Sequence, residues 1–406
     1  MTRPAPVEAA AVAAPAVAPA WWIWLAAWPV TAVFVLSNAA TPLYGLWQRD
    51  IGFSKGTMTV VFACYIVGLI GSLLVSGVVS DRVGRKPVLL PALGLAVLAC
   101  GIFATATSVV ALMLARLLTG VAVGAVVSAG MAAVTDIAGP DRKRLGALLA
   151  SCAMVLGAGL GPLLAGVLSE TLPGPTVTVF LVEIALLVVA FVTVLRMPVS
   201  RRPSALGEGA WIRLPKVPRG NGRQLLLGIA VFAPGITSTS FVLSLGPSLL
   251  SGLLGTTSRV VAGAMAFVMF LAATGVQFAV KGLRVRVILL GGAGSVVAGM
   301  VALVAAVWTS SVVLLAAAAI LVGAGQGMGQ LGGLSLLNST VPGDRLAEAN
   351  AALNVGGYLP AGALPVAAGY LSDGVGLTGG ATTFAVVLAV LAVGGGVVVA
   401  GGRAVR

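Results

Sequence analysis

The chain has 406 residues, of which 59% are hydrophobic and only 9% are charged, whereas an ordinary soluble domain carries roughly 25% charged residues. Water alone cannot solvate such a surface, which excludes the common soluble classes and makes a lipid bilayer the expected environment. The formal net charge of +13 is no sign of nucleic-acid binding, because the basic residues form short clusters between apolar segments instead of one continuous face.

The chain contains no histidine, and its three cysteines, Cys64, Cys100 and Cys152, all fall inside apolar runs without a Cys-x-x-Cys spacing. This pattern favours neither a disulfide framework nor a zinc site. We expect no bound metal and no cofactor, and we interpret the cysteines as small apolar core residues.

Residues 1-20 are rich in alanine, proline and valine, a composition too dense in proline for a helix and typical of a disordered tail. The segment lacks the basic region and short apolar core of a signal peptide. We therefore expect a cytoplasmic tail before the first spanning helix.

Twelve apolar runs follow, each close to the roughly 20 residues that an α-helix needs to cross a bilayer. They predict an all-α integral membrane protein with 12 transmembrane helices. The runs cover residues 21-45, 57-79, 87-107, 110-135, 145-168, 176-196, 224-246, 259-280, 286-307, 311-336, 347-371 and 377-400.

Basic residues flank these runs unequally. With the N-terminus inside, 20 of the 24 lysines and arginines fall on the cytoplasmic side, and only Arg49, Lys55 and Arg259 fall on the other. The positive-inside rule therefore predicts that both termini are cytoplasmic. The expected location is a cell membrane, which we take to be a bacterial cytoplasmic membrane.

The longest connection, residues 198-222, holds four prolines and a group of basic residues. Such a polar, proline-rich stretch is typical of a linker. We expect a cytoplasmic linker between six-helix bundles at 21-197 and 223-402, followed by a cytoplasmic tail at 403-406.

A shift of 203 residues superimposes the two predicted bundles. It aligns Gly120 with Gly323, Pro162 with Pro365, Asp141-Arg142 with Asp344-Arg345, and Leu168-Ser169-Glu170 with Leu371-Ser372-Asp373. Chance rarely keeps such residues in one register. The bundles are therefore predicted to be parallel repeats, which transporters use for alternating access around a site at the repeat interface.

The loop between the second and third runs reads GVVSDRVGRKPVLL from Gly77 to Leu90. It resembles the cytoplasmic loop between helices 2 and 3 of major facilitator superfamily (MFS) transporters, whose pattern is G-x-x-x-D-R-x-G-R-K/R. The matching residues are Gly77, Asp81, Arg82, Gly84, Arg85 and Lys86.

The resemblance implies the MFS fold of two six-helix repeats and a cytoplasmic gate at this loop. In the family the aspartate lies near the start of helix 11, where an anion is favoured, and the arginine pairs with an acid at the end of helix 4. Asp81 and Arg85 hold these positions here, and Asp136 is placed to be that acid. The alternative is a topology signal that only keeps the loop inside.

Arg116 lies within the fourth apolar run, in LARLLTGVAVGA. A cation there costs about 2.5 to 3.5 kcal/mol on insertion scales, so it should face a polar interior and have a partner. With Gly120 and Gly124 it resembles the family's helix 4 motif, R-x-x-x-G-x-x-x-G, which implies proton coupling. Its repeat counterpart is Ala319, and a structural ion pair or snorkelling to the outer surface stays open.

Glu183 is the acid clearly inside a predicted span, in VFLVEIALLVV of the sixth run. Proton coupling needs a carboxyl that takes up and releases a proton, and Glu183 is therefore a second candidate for ion coupling. Because the sixth run begins only a few residues earlier, Glu183 could instead lie by the outer headgroups.

The fifth run contains LGAGLGPLLAG, which resembles the signature of drug:proton antiporters, G-x-x-x-G-P-x-x-G-G. Gly157, Gly161, Pro162 and Gly166 match it, and Ala165 replaces the penultimate glycine. Glycines at such spacing also let two helices pack closely, which is the alternative explanation.

Polar residues at helical spacing predict the lining of a central substrate cavity, although each could instead bond between helices. The set is Asn38, Thr41, Tyr44, Ser240, Gln326, Gln330, Asn350, Asn354 and Tyr358. It predicts a mildly polar, mostly uncharged cavity, and the single intramembrane cation argues against sugar phosphates and dicarboxylates.

These features predict a secondary active transporter without enzymatic activity. The expected function is proton-coupled efflux of a small neutral or cationic organic molecule by alternating access, with the bilayer, the substrate and protons as partners. We expect no nucleic-acid partner and a monomer. Symport or uncoupled uptake of a small polar solute stays open and, more distantly, so does a transporter-like membrane sensor.

Overall fold

The computed structural model describes residues 19–199, 217–252, 255–342 and 345–401. Every regular element within these ranges is helical. Most of the expected linker at 198-222, and nearly all of the two expected tails, lie outside the described residues.

Eleven continuous helical segments are long and apolar enough to cross a membrane, and the last of them is 54 residues long. Its backbone leaves helical geometry at Gly376, with φ 81° and ψ 164°, a conformation that glycine adopts without steric cost. The break divides the segment into two helices, so the described residues contain the twelve helices that the apolar runs predict.

We number these helices in chain order. They are α1 Trp21–Ile51, α2 Lys55–Val83, α3 Lys86–Ala104, α4 Val109–Ala138, α5 Pro140–Thr171, α6 Pro175–Arg196, α7 Gly222–Gly252, α8 Arg259–Val280, α9 Val285–Thr309, α10 Val312–Thr340, α11 (346–375) and α12 (377–401). The first half of the protein is α1 to α6, and the second half is α7 to α12.

The duplication is visible in how the helices begin. Ser54 and Ser258 cap α2 and α8, and Ser108 and Ser311 cap α4 and α10, each accepting a hydrogen bond from a main-chain N–H three residues on. Serine is among the residues preferred at this position because it satisfies a free N–H of the first turn. Equivalent helices of the two halves therefore start in the same way.

Equivalent helices also cross in the same way. Gly120 of α4 lies against the carbonyl of Tyr65 in α2, and its counterpart Gly323 of α10 lies against the carbonyl of Met269 in α8. A β-carbon at either glycine would overlap main-chain atoms, which is the packing that small residues permit between membrane helices. The helix pairs α2/α4 and α8/α10 are thus repeats of one unit.

The two halves meet along two helix pairs. Gly369 of α11 packs on Thr59 and Gly56 of α2, while Gly263 of α8 packs on the carbonyl of Pro162 in α5. All these contacts lie toward the ends where α2 and α8 begin and where α5 and α11 finish. The outer faces of the helices expose large apolar side chains, such as Val110 and Val390, and these can be solvated only by lipid.

Candidate functional site

Arg85 lies at the turn between α2 and α3 and binds two acids. Its Nη1 donates to Asp81 Oδ1 at 2.7 Å and to Ser80 Oγ at 2.9 Å, and its Nε donates to Asp136 Oδ2 at 3.0 Å. Partial burial lowers the pKa of Arg85, but the hydrogen bonds to Asp136 and Asp81 and the negative charges of these two acids together raise it above its usual value, so the guanidinium stays charged. The loop is thereby fastened to the end of α4.

The other residues of this loop complete the turn. Gly84 adopts φ 99°, in the region that favours glycine, and Lys86 donates from Nζ to the carbonyl of Leu195 at 2.8 Å, near the end of α6, where a cation is favoured. Gly77 and Arg82 lie in the last two turns of α2. We call this side of the molecule the loop end. Residues 343 and 344, which precede α11 and would adjoin Asp81 in the family arrangement, lie outside the described residues.

The opposite side of the molecule is closed by two acids from different halves. Asp373 at the end of α11 accepts hydrogen bonds from the main-chain N–H groups of Lys55 at 3.0 Å and Gly56 at 2.9 Å, in the first turn of α2. Glu170 at the end of α5 accepts hydrogen bonds from the N–H groups of Arg259 and Val260, in the first turn of α8. We call this side the acid-capped end.

The hydrogen bonds of each acid join one half to the other. Each carboxylate also bonds the serine that precedes the helix it caps. Glu170 pairs with Ser258, and Asp373 pairs with Ser54. Arg259 returns two bonds to Ser169, to Oγ at 2.9 Å and to the carbonyl oxygen at 2.6 Å. The acid-capped end is therefore held by polar contacts that water can replace.

The repeat register aligns these two acids, but they are not among the predicted site residues. The available signal was their position, since each ends a helix and each lies opposite a Ser-capped helix start in the other half. The pairing of α5 with α8 and of α11 with α2 could not be deduced from the sequence alone.

Arg116 is completely buried in the first half. Its Nε donates to Tyr44 Oη at 2.5 Å, and its Nη1 donates to the carbonyl of Ser37 at 2.6 Å. Its Cζ also lies 5.1 to 6.0 Å from the ring centres of Tyr44, Phe62, Tyr65 and Phe103, within the range of cation–π attraction.

The sequence predicts that Arg116 has a partner, and the structure gives it a phenol hydroxyl, a main-chain carbonyl and four aromatic rings. Among the described residues no carboxylate lies within ion-pair distance of Arg116, and its Nη2 has no hydrogen-bond acceptor. A buried cation held only by neutral groups retains the capacity to bind an anion, because one of its donors is unused.

Glu183 is the corresponding buried acid of the first half, with 3% of its surface exposed. Its Oε2 has no hydrogen-bond partner in the described part of the chain. Phe180, one turn before it in α6, stacks on Phe103 with ring centres 4.9 Å apart. Phe103 also lies 6.0 Å from Arg116 Cζ, so the rings around the buried cation extend to the helix that carries the buried acid.

The glycines of the antiporter-like segment sit on two faces of α5. Gly157 and Gly161 pack against the main chain of α1, at Thr31 and Val35, while Gly166 packs against the main chain of Arg259 in α8. The carbonyl oxygen of Pro162 packs against Gly263 of α8, which has no side chain to obstruct the contact. The segment therefore joins α5 both to its own half and to the other half.

The polar residues expected to line a cavity fall into two groups. The five buried ones are Asn38, Thr41, Tyr44, Ser240 and Gln326, and the four partly exposed ones are Gln330, Asn350, Asn354 and Tyr358. Gln326 Nε2 donates to Gln330 Oε1 at 3.0 Å, so these two side chains of α10 form an uncharged polar pair. On α1, Tyr44 is instead turned onto Arg116.

Tyr65 of α2 is a further residue of this site that the sequence did not predict. Its ring lies 5.9 Å from Arg116 Cζ, and the centre of the ring lies 6.4 Å from that of Phe62. Tyr65 therefore belongs to the set of rings that surrounds the buried cation. A lone tyrosine in an apolar run gives no signal of this contact.

Two helical repeats that meet at polar contacts, which can form and break as the halves move, are typical of a membrane transport protein. A profile of the Major Facilitator Superfamily matches residues 23–286. The chain belongs to the Major Facilitator Superfamily, and it is a multi-pass membrane transporter, not an enzyme.

Individual relatives match over shorter segments. The 3-(3-hydroxy-phenyl)propionate transporter of Escherichia coli is 33% identical over 116 residues, which are 28% of each chain. Major facilitator superfamily domain-containing protein 10 of Bos taurus is 31% identical over 186 residues, covering 41% of this chain and 40% of that protein. Multidrug resistance protein MdtL of Escherichia coli is 33% identical over 96 residues, covering 23% and 24%. The matched segments thus span well under half of each relative.

Solved structures match over nearly the whole chain. The nucleoside transporter NupG has a TM-score of 0.71 at 13% identity, covering 94% of this chain and 99% of that one. A bacterial homologue of the human lysosomal transporter Spinster, in an inward-facing and unoccupied conformation, has a TM-score of 0.71 at 13% identity, covering 94% and 96%. These likenesses establish the shared fold.

Proposed function

We propose that the protein exports a small neutral or cationic organic molecule in exchange for protons, by alternating access between bundles 21-197 and 223-402. One observation carries the proposal. The repeat-related acids Glu170 and Asp373 each close one of the two interfaces between the halves. Rocking of one half on the other would break both contacts together, as alternating access requires.

We assign the loop end to the cytoplasm and the acid-capped end to the outside. The excess of basic residues at the loop end supports this orientation. In this conformation the outer side is closed, and the Asp81, Arg85 and Asp136 cluster at the loop end is the cytoplasmic gate. Within the first half, Arg85 joins Asp81 of α2 to Asp136 of α4.

Proton coupling is assigned to Glu183 and Arg116. A buried ionised carboxylate without partners is costly, so Glu183 can alternate between a protonated form and a form that gains a partner as the helices move. Arg116 lies at the same aromatic cluster and can respond to that charge. The antiporter-like segment from Gly157 to Gly166 and the similarity to MdtL support export.

A second candidate is the uptake of a small aromatic acid. Arg116 has a donor without an acceptor and four aromatic rings around it, which together suit a carboxylate attached to a ring. The E. coli relative whose name specifies a hydroxyphenylpropionate supports testing this class.

The two functions can be separated in proteoliposomes that enclose a pH-sensitive dye. Lipophilic cations, neutral antibiotics, sugars and aromatic acids are added one at a time to the purified protein. Proton flow opposite to the flow of a neutral or cationic compound supports export by antiport. Proton flow in the same direction as an aromatic acid identifies the second candidate. Substrate flux without proton movement contradicts coupling.

A further inference from the structure

Two glutamines of α10 carry hydrogen-bonding groups that the fold leaves unused. Gln326 and Gln330 lie four residues apart near the middle of the helix, and Gln326 Nε2 donates to Gln330 Oε1 at 3.0 Å. This bond leaves Gln326 Oε1 as an acceptor and Gln330 Nε2 as a donor, neither of which bonds another of the described residues. Neither atom is among the fully buried polar atoms that lack a partner, so both stay within reach of a ligand.

The other faces of α10 are covered by protein or by lipid. Gly323 and Gly327 pack against the main chain of α8, Gly325 packs against α9, and Gly329 packs against α7. Ile320 is 41% exposed on the side that faces lipid. At 3.6 residues per turn, the two glutamines lie between the face that contacts α7 and the face that contacts α8.

That face is directed towards the first half of the protein. Both α7 and α8 contact the first half, through Ser248 and Gly263, so the space between them adjoins the centre of the molecule. The duplication agrees, because Ala319, the repeat mate of Arg116, shares this face of α10 with the glutamines. Arg116 itself points at α1 and α2, which are the equivalents of α7 and α8.

The two free groups restrict what can bind between them. An amide oxygen only accepts and an amide nitrogen only donates, and turning both amides over would still leave one acceptor beside one donor. No charged residue occurs in α10, and the buried acid Glu183 belongs to the first half, where its repeat mate is Val386. A cationic group would therefore meet no carboxylate on this helix and would face the donor of Gln330.

We propose that the transported substrate carries a neutral group in which an N–H adjoins a C=O, as in an amide, a lactam or a urea. The N–H of the substrate donates to Gln326 Oε1, and Gln330 Nε2 donates to the carbonyl oxygen of the substrate. An ammonium group has donors only and satisfies half of the pair. This substrate class rests on the proposed function, and narrows it from neutral or cationic molecules to neutral ones.

The test is a binding measurement, which requires no transport. Purified protein in phospholipid nanodiscs is titrated with three probes of similar size, naphthamide, naphthamidine and N,N-dimethylnaphthamide, and saturation-transfer NMR gives their dissociation constants. Naphthamide has an N–H beside a carbonyl, naphthamidine is a cation with donors only, and the dimethyl amide has no N–H. We expect naphthamide to bind about five-fold more tightly than either of the others, as one net hydrogen bond provides.

One substitution should reverse this preference. Gln330→Glu keeps the size of the side chain but replaces its donor with a charged acceptor, so naphthamidine should become the tighter ligand, by about ten-fold at alkaline pH. Gln326→Leu should abolish the difference between naphthamide and its dimethyl derivative. Gln277→Leu is the matched control, because this half-buried glutamine of α8 bonds the carbonyl of Ala273 in its own helix, and it should keep the wild-type order of the three probes.

Three outcomes would overturn the proposed recognition. They are an absence of naphthamide binding, equal binding of the three probes to wild type, and the wild-type order of the probes in Gln330→Glu. Each would leave export and proton coupling to be decided by flux in proteoliposomes. Naphthamide binding that depends on Gln326 and Gln330, in a protein that moves no substrate, would instead contradict the proposed function and support the site.

Discussion

Glu170 and Asp373 stand 203 residues apart and perform the same task at the same end of the molecule. Each ends a helix in one half and accepts two main-chain hydrogen bonds from the first turn of a helix in the other half. The free N–H groups of a helix start carry partial positive charge, so a carboxylate is favoured there. The two acids therefore act as paired latches that close the acid-capped end.

Removing the latches should open that end. Replacing a capping side chain with alanine costs about 1 kcal/mol, which is roughly five-fold in an equilibrium. Glu170→Ala and Asp373→Ala should each raise the rate at which a maleimide that cannot cross membranes labels Thr59→Cys, which is buried beneath the Asp373 latch. The double variant should approach 30-fold, because the two sites share no partner.

The control is Glu348→Ala, which removes an exposed ion pair with Arg345 at the loop end. It should leave labelling of Thr59→Cys unchanged. Cys64, Cys100 and Cys152 are free thiols and are replaced by serine in all the proteins compared. Equal labelling rates in the latch variants and wild type would contradict the latch assignment.

The loop cluster gives a prediction about turnover. Asp81→Asn removes the negative charge that faces Arg85, a change worth about 1 kcal/mol in this partly exposed setting. We expect the transport rate to fall about five-fold while substrate affinity is kept. Asp141→Asn, at an exposed acid on the first turn of α5, is the control. Unchanged turnover in Asp81→Asn would contradict the assignment of this cluster as the cytoplasmic gate.

Arg116 and Tyr44 should behave as a pair. Tyr44→Phe removes the hydroxyl that accepts from the buried guanidinium, and bonds to charged groups are worth about 1.5–3 kcal/mol. Arg116→Ala should abolish transport with insertion intact, and Tyr44→Phe should reduce transport at least ten-fold. Tyr370→Phe, at an exposed ring, serves as the control. Full transport by Arg116→Ala would exclude a coupling role.

Glu183 gives a prediction about how substrate flux depends on pH. Glu183→Gln keeps the shape but holds the side chain permanently neutral, so substrate flux should continue without its dependence on a pH gradient. The measurement is flux in proteoliposomes at several internal and external pH values. A pH profile identical to that of wild type would show that the proton site lies elsewhere.

Helix packing can be tested through stability. A β-carbon at Gly161 would overlap the carbonyl of Val35, so Gly161→Ala should destabilise the first half by about 1–3 kcal/mol. Gly101→Ala is matched, since it lies in the same half but its β-carbon meets nothing within 4 Å. Because alanine is favoured over glycine in a helix, this control should be neutral or slightly stabilising in thermal unfolding. Equal melting temperatures for the two variants would contradict the packing described.

The fold could be predicted from the sequence. Apolar runs of membrane length predicted the twelve helices, including the division near Gly376, because span length is set by bilayer thickness. The repeat register predicted that the halves share one architecture. Helix ends were less certain, since capping by residues such as Ser54 and Ser258 moves a boundary without changing the apolar pattern.

The site was only partly predictable, for a physical reason. Asp81 and Arg85 are four residues apart, and their contact follows from local spacing. The partners of Arg116 and Glu170 come from helices 72 and 89 residues away in the chain, and they depend on which helices become neighbours. Burial of Tyr44 on Arg116, instead of in an open cavity, likewise depends on rotation of α1 that an apolar pattern does not specify.

The most direct test of alternating access measures both ends at once by electron–electron double resonance. One spin-label pair is Val110 and Val313, exposed repeat mates at the acid-capped end, and the other is Val83 and Leu283, exposed at the loop end. On going from wild type to the Glu170→Ala and Asp373→Ala double variant, the first distance should lengthen and the second should shorten. If both distances stay the same, or both change in one direction, the two halves do not rock about a central site, which would contradict alternating access.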